Sequence, residues 1–406
     1  MFKSATKTIF RSVLFLGMTC GLASESVLAA DLDEYTLFAP NGSTDTYLID
    51  KDGNTVHSWV SDHRVALSVY LLPSGELLRT GSVLDAPATF SGNAGGMVEI
   101  LDWESNVVWE AAIASDNYFS HHDAEVLPNG NILVLAWEAK TAEEAMALGR
   151  TQVAGDTLWA DAVYEICRES EANACLDGEI VWRWSTWDHA VQDVDTSISS
   201  NYVNNVADHP DKVNLNYFSG DGSADWTHAN SVDYHPEKDV IVISVHNFNE
   251  YWIIDHSDAS AGIVYRSGNP LAYDQSGRQT LFGQHDVQWI EPGLPGEGNI
   301  LLFNNGFNRP VGEFSTVDEL CYEANCRSGS LLSQYSEGVN GEFYSSHISG
   351  AQRLPNGNTL VCEGRDGHFF EYNIEHEIVW EFNYDGSVFR AYRYYGDYSG
   401  LSQLVL

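Results

Sequence analysis

Apolar and polar residues alternate along most of the chain in short runs separated by turns, and two hairpin patterns take turns. The first is a strand, an acidic or glycine-bearing turn, and a strand ending on an aromatic. Its six copies span residues 48–59, 99–109, 164–184, 252–265, 321–335 and 369–380. The second is a strand, a Pro-x-Gly or equivalent turn, and an apolar strand. Its clear copies are residues 69–80, 122–137, 228–245, 285–303 and 349–362. Period-two alternation with this turn chemistry predicts β-hairpins. A sixth copy of the second pattern is expected from residues 388–398, residues 35–39, or both. Two hairpins make a four-stranded sheet. Six such sheets, about sixty residues each, predict an all-β chain folded as a six-bladed β-propeller of four-stranded blades. No hairpin alone can bury both its faces, so the blades must stack and the ring must close.

Residues 31–406 are therefore expected to form one propeller domain. A helical insertion is expected near 138–150, where Thr141 and Glu144 make a capping box and Gly149 can end the helix. The polar stretch near 189–225 predicts a long loop over one face. Its segment Asp221-Gly222-Ser223-Ala224-Asp225 lacks the full spacing of a calcium loop and is read as a turn. The first thirty residues do not share the pattern. Lys3, Lys7 and Arg11 precede a short apolar run, and Ala29 and Ala30 close it, as in a secretory signal peptide.

Charge and cysteines sharpen the address. The chain carries 58 Asp+Glu against 20 Lys+Arg, a net charge of −38, spread along its length. Such a field repels nucleic acid and acidic membrane surfaces, so neither is expected as a partner. No later stretch is long and apolar enough to span a bilayer. Cys167 and Cys175, and Cys321 and Cys326, are close in sequence and lack metal-ligand spacing. In an exported protein each pair predicts a local disulfide, and the expected location is periplasmic or secreted. Cys362, in an apolar strand, reads as a buried thiol. No metal site and no cofactor is expected.

Histidine carries the candidate chemistry. His122 precedes Val126 by four residues, His228 precedes Val232 by four, and His285 precedes Trp289 by four. In two further copies the same position holds Val65 and Ser349. A propeller relates equivalent positions by rotation about one axis, so an axis-facing position would bring the three imidazoles together. The returning strand of each hairpin adds neighbours: Glu138, His246, Asn305 and Arg365, with Arg309 on the following loop and His347 two residues before Ser349. His121 is expected to face away from His122. His57, His63, His235, His256 and His376 fall at turns or outer strands and read as surface residues.

Several imidazoles with guanidinium groups can bind a metal, transfer an anionic group through a histidine nucleophile, or remove a proton from a sugar acid with a tyrosine as acid. Tyr70, Tyr118 and Tyr344 are the candidate acids for a polysaccharide lyase. A binding propeller without turnover is the non-enzymatic alternative.

The segments Trp226-Thr227-His228-Ala229-Asn230-Ser231-Val232, Gly283-Gln284-His285-Asp286 and Asn304-Asn305-Gly306-Phe307-Asn308-Arg309 resemble the arylsulfotransferase family of exported bacterial enzymes. Tyr35-Thr36-Leu37-Phe38-Ala39-Pro40 and Tyr47-Leu48-Ile49-Asp50 fit as well. The resemblance implies a cofactor-free, two-step transfer of a sulfuryl group from a small aromatic sulfate donor to a phenolic acceptor. It implies His285 as nucleophile, with His228 and His122 as further catalytic histidines. His246, Arg365, Asn305, Arg309 and His347 are expected to bind substrate. The chain departs from the family at Val245, which stands where the family has an arginine before the histidine. Arg365 or Arg309 is the expected replacement.

Overall fold

The strands of the computed structural model form six four-stranded antiparallel blades around a central axis, a six-bladed β-propeller. It describes residues 33–168, 175–217, 224–322, 326–339 and 341–404. The expected leader, residues 1–30, lies outside them. Blade 1 runs from the axis outward as Val388–Tyr395, Glu34–Pro40, Asp45–Ile49 and Thr55–Val60. The sixth inner hairpin thus comes from both candidate segments, paired antiparallel from Glu34 with Tyr395 to Pro40 with Val388. Blades 2 to 6 each run outward in chain order. Their inner strands are Val65–Leu71, Tyr118–Val126, Ala229–His235, His285–Trp289 and Gly350–Arg353.

Sequence explains which strands lie deep. The second strand of blade 3, Ile132–Thr141, is apolar and buried from Ile132 to Trp137, and the second strand of blade 4, Val240–Val245, is apolar but for Ser244. Outermost strands such as Val107–Ala112 and Ile378–Asn383 alternate exposed and less exposed positions. That is the pattern of a half-solvated edge. The core forms apolar layers between blades, as where Trp184, Trp226, Val232, Ile243 and Trp252 meet between blades 3 and 4.

The chain leaves the repeat twice, within blade 3 between its second and third strands and again between blades 3 and 4. Thr141 caps a short helix, Ala142–Ala147, through a reciprocal capping box with Glu144. The stretch after blade 3 adds a small parallel pair, Ala190–Val191 with Val213–Asn214. Disulfides Cys167–Cys175 and Cys321–Cys326 both form, and Cys362 is a buried free thiol. Disulfides of this kind belong to an oxidising compartment. Among the described residues no helix is long and apolar enough to cross a membrane.

The axis is tied by one charged residue. Arg390, on the closing strand and 3 % exposed, reaches Asp123 of blade 3 at 3.0 Å and Asp286 of blade 5 at 2.9 Å. It also donates to the Tyr70 hydroxyl of blade 2 at 3.0 Å and to the Asn230 carbonyl at the start of blade 4 at 3.3 Å. Each carboxylate reaches onward. Asp123 accepts from the Val232 amide of blade 4, and Asp286 from the Ala351 amide of blade 6. A guanidinium has the donors and the fixed fork that such a hub requires. Removing it strands two carboxylates out of water. Arg390→Met is therefore expected to lower stability by about 3–5 kcal/mol, read from denaturant unfolding. A loss of under ~1 kcal/mol would show that the ring closes without its hub.

Candidate active site

Above Arg390 sits the ring of Phe389, fully buried, with the guanidinium 4.5 Å from its centroid. Phe389 is the floor of a row of imidazoles, 6.0 Å from His122 and 6.4 Å from His285. Along the row the ring centroids of His122 and His228 are 4.8 Å apart, those of His228 and His246 5.1 Å, and those of His246 and His285 5.4 Å. Residues distant in sequence and on three blades therefore share one site.

Backbone irregularity puts them there. The ladder of blade 3 is broken between Ser120 and Ala124, that of blade 4 between Ala229 and Ser231, and that of blade 5 between His285 and Gln288. Bulges of this kind re-aim side chains. His122 and His228 adopt left-handed backbone, with φ of +56° and +52°. In blade 5 that conformation falls on Asp286, φ +53°, one residue after His285. Left-handed backbone thus falls on the histidine itself in blades 3 and 4 and on the residue after it in blade 5. The same turn explains His121. Expected to face away, it lies with Nδ1 2.8 Å from Nδ1 of His122, because positive φ at His122 breaks strand alternation.

The family-like motifs are clamps between blades 4 and 5. Asn230 donates to the Gln284 carbonyl at 2.9 Å, and the Ser231 hydroxyl both receives the Val287 amide and donates to the Val287 carbonyl. Gln284 donates to the Glu250 carbonyl at 2.7 Å. These bonds fix His285 against His246.

Each imidazole has a distinct electrostatic setting. Nδ1 of His285 lies 2.9 Å from Asn305 Oδ1 and 3.1 Å from the Gly283 carbonyl. Asn305 itself donates to the carbonyls of Ser345 and Ile348, which fixes its oxygen towards His285. Two acceptors require a proton on Nδ1, which leaves the lone pair on Nε2. There the amide of Ile348 donates at 3.2 Å. Ile348 holds φ +51°, a costly conformation for a β-branched residue, and its amide and carbonyl are both used in this bracket. His246 is pinned similarly, with Nδ1 3.0 Å from Asn247 Oδ1. Burial, then the charge of His228, holds His246 down to about 4. Burial and neighbouring histidines depress His122 and His285 well below the usual imidazole range.

His228 is the exception. Burial opposes its charge, but the carboxylate of Asp225, hydrogen-bonded to Nδ1, outweighs burial and raises its pKa. Asp225, read from sequence as part of a turn, is thus a partner of the site. Residues Asp221, Gly222 and Ser223 lie outside the described residues. Behind His122, Asp161 lies 3.0 Å from Nε2 of His121 and also receives the Thr227 hydroxyl. Trp137 stacks on His121 at 4.0 Å and closes one wall together with Trp159 and Phe90. Trp137, Asp161 and Phe389 carry no motif. The signal available for Trp137 was its place at the end of the His122 hairpin.

Other expected neighbours fall elsewhere. Glu138 is held by Arg183 and Tyr164 rather than by His122. His347 is exposed at the rim, with its pKa lowered by burial and by Arg365, whose side chain is 50 % exposed. Arg309 does not reach the row, because its guanidinium packs on Phe314 and Phe282. Val245 is buried in the apolar layer between blades 3 and 4, so no cation stands at that position. Tyr70 bonds Asp123 beneath the Phe389 floor, Tyr118 packs on Tyr164, and the Tyr344 amide bonds Glu363. Two histidines read as surface residues are not: His235 is buried, and His256 bridges Asp239 and Glu165. Among the described residues, no group of His, Cys, Asp and Glu is placed to hold a metal ion.

The fold and this row define a propeller with a polar, imidazole-lined axial site. A sequence profile of the arylsulfotransferase (ASST) family matches residues 44–392, and the chain belongs to that family. No curated protein matches the chain. Among solved structures, a protein of unknown function from Bacteroides caccae aligns with TM-score 0.52 and 11 % identity. The alignment covers 89 % of this chain and 98 % of that one, a likeness of fold. Virginiamycin B lyase from Staphylococcus aureus aligns with TM-score 0.43 and 9 % identity over 88 % of this chain and 86 % of that one.

Because His228 owes its raised pKa to Asp225, Asp225→Asn is expected to lower it. The stability contributed by this pair is present below the unfolded value, about 6.5, and lost as pH rises through the folded one. NMR titration of His228 should show a midpoint above 6.5 in the native protein and a fall in the variant. An unchanged midpoint would remove Asp225 from the site.

Proposed function

We propose that the protein transfers a sulfuryl group from an aryl sulfate to a phenol through a covalent histidine intermediate. The observation that carries this reading is the division of charge along the row. Imidazoles of fixed tautomer and lowered pKa stand beside one whose pKa Asp225 raises, in a chain of the arylsulfotransferase family. In the first step the Nε2 lone pair of His285, released by the Ile348 amide, attacks sulfur. The N–S bond forms, the S–O bond to the aryl group breaks, and the departing phenolate takes a proton from His228. In the second step the acceptor phenol gives its proton to His228, its oxygen attacks sulfur, and the N–S bond breaks. Electrons and protons balance without a cofactor. A neutral imidazole is a competent nucleophile near neutral pH, and a positioned imidazolium is a suitable acid.

With Val245 apolar, the proposal assigns the cationic role to His228 itself and, at the rim, to Arg365. His347 and Asn305 complete the surround, Asn305 through His285. His122, beside His228 in the row, faces the sulfuryl oxygens in this scheme. The disulfides and the sequence of residues 1–30 support action outside the cytoplasm. A second assignment of the nucleophile has one observation in its favour. His246 has the same Nδ1-protonated form, and its Nε2 is not engaged by an amide as that of His285 is.

Intact-mass analysis after incubation with a chromogenic aryl sulfate tests both. His285→Ala is expected to abolish adduct and turnover, and His228→Ala to slow both steps by about 100- to 10,000-fold. An adduct that persists in His285→Ala and disappears in His246→Ala moves the nucleophile to His246. No adduct and no turnover with any aryl sulfate, with elimination of an acidic polysaccharide instead, gives the site to a lyase. Binding without either reaction makes it a recognition propeller.

A further inference from the structure

Two buried titratable groups behind the row have no role in the transfer steps, His121 and Asp161, each 2 % exposed. They form a line with His122. Nδ1 of His122 lies 2.8 Å from Nδ1 of His121, and Nε2 of His121 lies 3.0 Å from Oδ1 of Asp161. That second pair of atoms is sealed from water, and neither makes a hydrogen bond elsewhere. The other oxygen of Asp161 accepts from the Thr227 hydroxyl and from the Ala229 amide, the latter at 2.9 Å, which fixes the carboxylate. Trp137 lies flat on His121, with centroids 4.0 Å apart and planes 14° from parallel. The outer end of the line is open: among the described residues Nε2 of His122 makes no hydrogen bond, and it is not sealed from water.

Proton positions along this line are coupled. A lone pair on Nε2 of His121 would repel the carboxylate, so that nitrogen carries a proton. A neutral His121 then has only a lone pair at Nδ1. The hydrogen between the rings belongs to His122, and His122 presents a lone pair at Nε2, which repels an oxyanion. One added proton reverses these positions. Nε2 of His122 gains a hydrogen, the hydrogen between the rings passes to Nδ1 of His121, and the charge rests on His121 between the Asp161 carboxylate and the Trp137 face. A carboxylate and an aromatic face both favour a cation. The other charged and titratable neighbours oppose charge at His122 itself. His228, whose pKa Asp225 raises, stands 4.8 Å from His122, with His246 and His285 beyond it. Burial, then these imidazoles and His121, hold His122 well below the usual range. Asp123, the next residue, is taken by Arg390 below the floor.

We infer that Asp161, His121 and His122 form a proton relay that charges the site when an oxyanion arrives. The inference rests on the sulfuryl-transfer reading only in placing the anion's oxygens at His122. One proton from water enters at Nε2 of His122 for each anion bound, the hydrogen between the rings shifts from one nitrogen to the other, and no other bond changes. The cation absent at Val245 is thereby supplied while an anion is present. His121 and Asp161 act as positioning residues, since neither touches the anion.

Benzenesulfonate is a suitable probe, because its sulfur is bonded to carbon and offers no sulfuryl group to histidine. Calorimetry of the full chain in two buffers of different ionisation heat counts the protons taken up on binding. Uptake approaching one proton is expected above neutral pH. The anion raises the proton affinity of the pair, so binding is tightest at low pH and weakens as pH rises, by up to about tenfold per pH unit, the slope of one linked proton. His121→Phe, which keeps a ring against Trp137, is expected to remove this uptake. His228 can add an uptake of its own, which Asp225→Asn alters and His121→Phe leaves in place. Nitrogen NMR of the native protein reads the relay without a variant: on binding, Nε2 of His122 should pass from lone-pair to N–H character, and Nδ1 the reverse. A His122 tautomer unchanged by the sulfonate, or equal uptake in the native protein and His121→Phe, overturns the relay, while a histidine adduct with aryl sulfate still upholds the transfer. No binding of millimolar sulfonate to a protein that forms the adduct overturns the relay alone. Neither binding nor adduct overturns both.

Discussion

The structure hangs on a buried guanidinium shared between blades. Arg390 meets carboxylates from blades 3 and 5 and a hydroxyl from blade 2, and each carboxylate also takes an amide from the next blade. Apolar layers hold adjacent blades together but are not directional. The hub supplies direction, because a fork of donors is satisfied only when the strands stand at the right angles about the axis. Two carboxylates flank the one cation below the floor. Phe389 separates this ionic cluster from the imidazoles above it.

Above the floor, the site works by unequal treatment of like residues. Four imidazoles in a row would share one proton poorly if their surroundings were equal. Asp225 favours charge on His228, while burial and mutual repulsion keep His122, His246 and His285 neutral. In the proposed mechanism, separate acid and nucleophile roles then come from one side-chain type. Asn305 and Asn247 fix the tautomers, and both asparagines are themselves fixed by backbone carbonyls.

The blade count was legible because hairpin periodicity is local, and every blade repeats it. The three motif histidines were legible because repetition maps sequence offset onto rotation about an axis. That reasoning could not show that left-handed backbone falls on Asp286 in blade 5, since a bulge is invisible to residue counting. It failed for His121 for the same reason. Arg390 and Phe389 were not legible because the closing strand repeats no other inner hairpin, and nothing local says which of its faces meets the axis. Arg309 was expected at the row because its loop follows Asn305. The loop instead turns outward, where Phe282 and Phe314 offer its guanidinium two ring faces.

The floor and the hub lie side by side on the strand Val388–Tyr395, and that strand also fastens the ring to Glu34–Pro40. A chain whose other five blades are already stacked still has a gap at the axis, water around Asp123 and Asp286, and imidazoles with nothing beneath them. Docking one strand removes all three defects together. Closure of the ring and completion of the imidazole site thus depend on the same strand, so a change that loosens its pairing with Glu34–Pro40 reaches both.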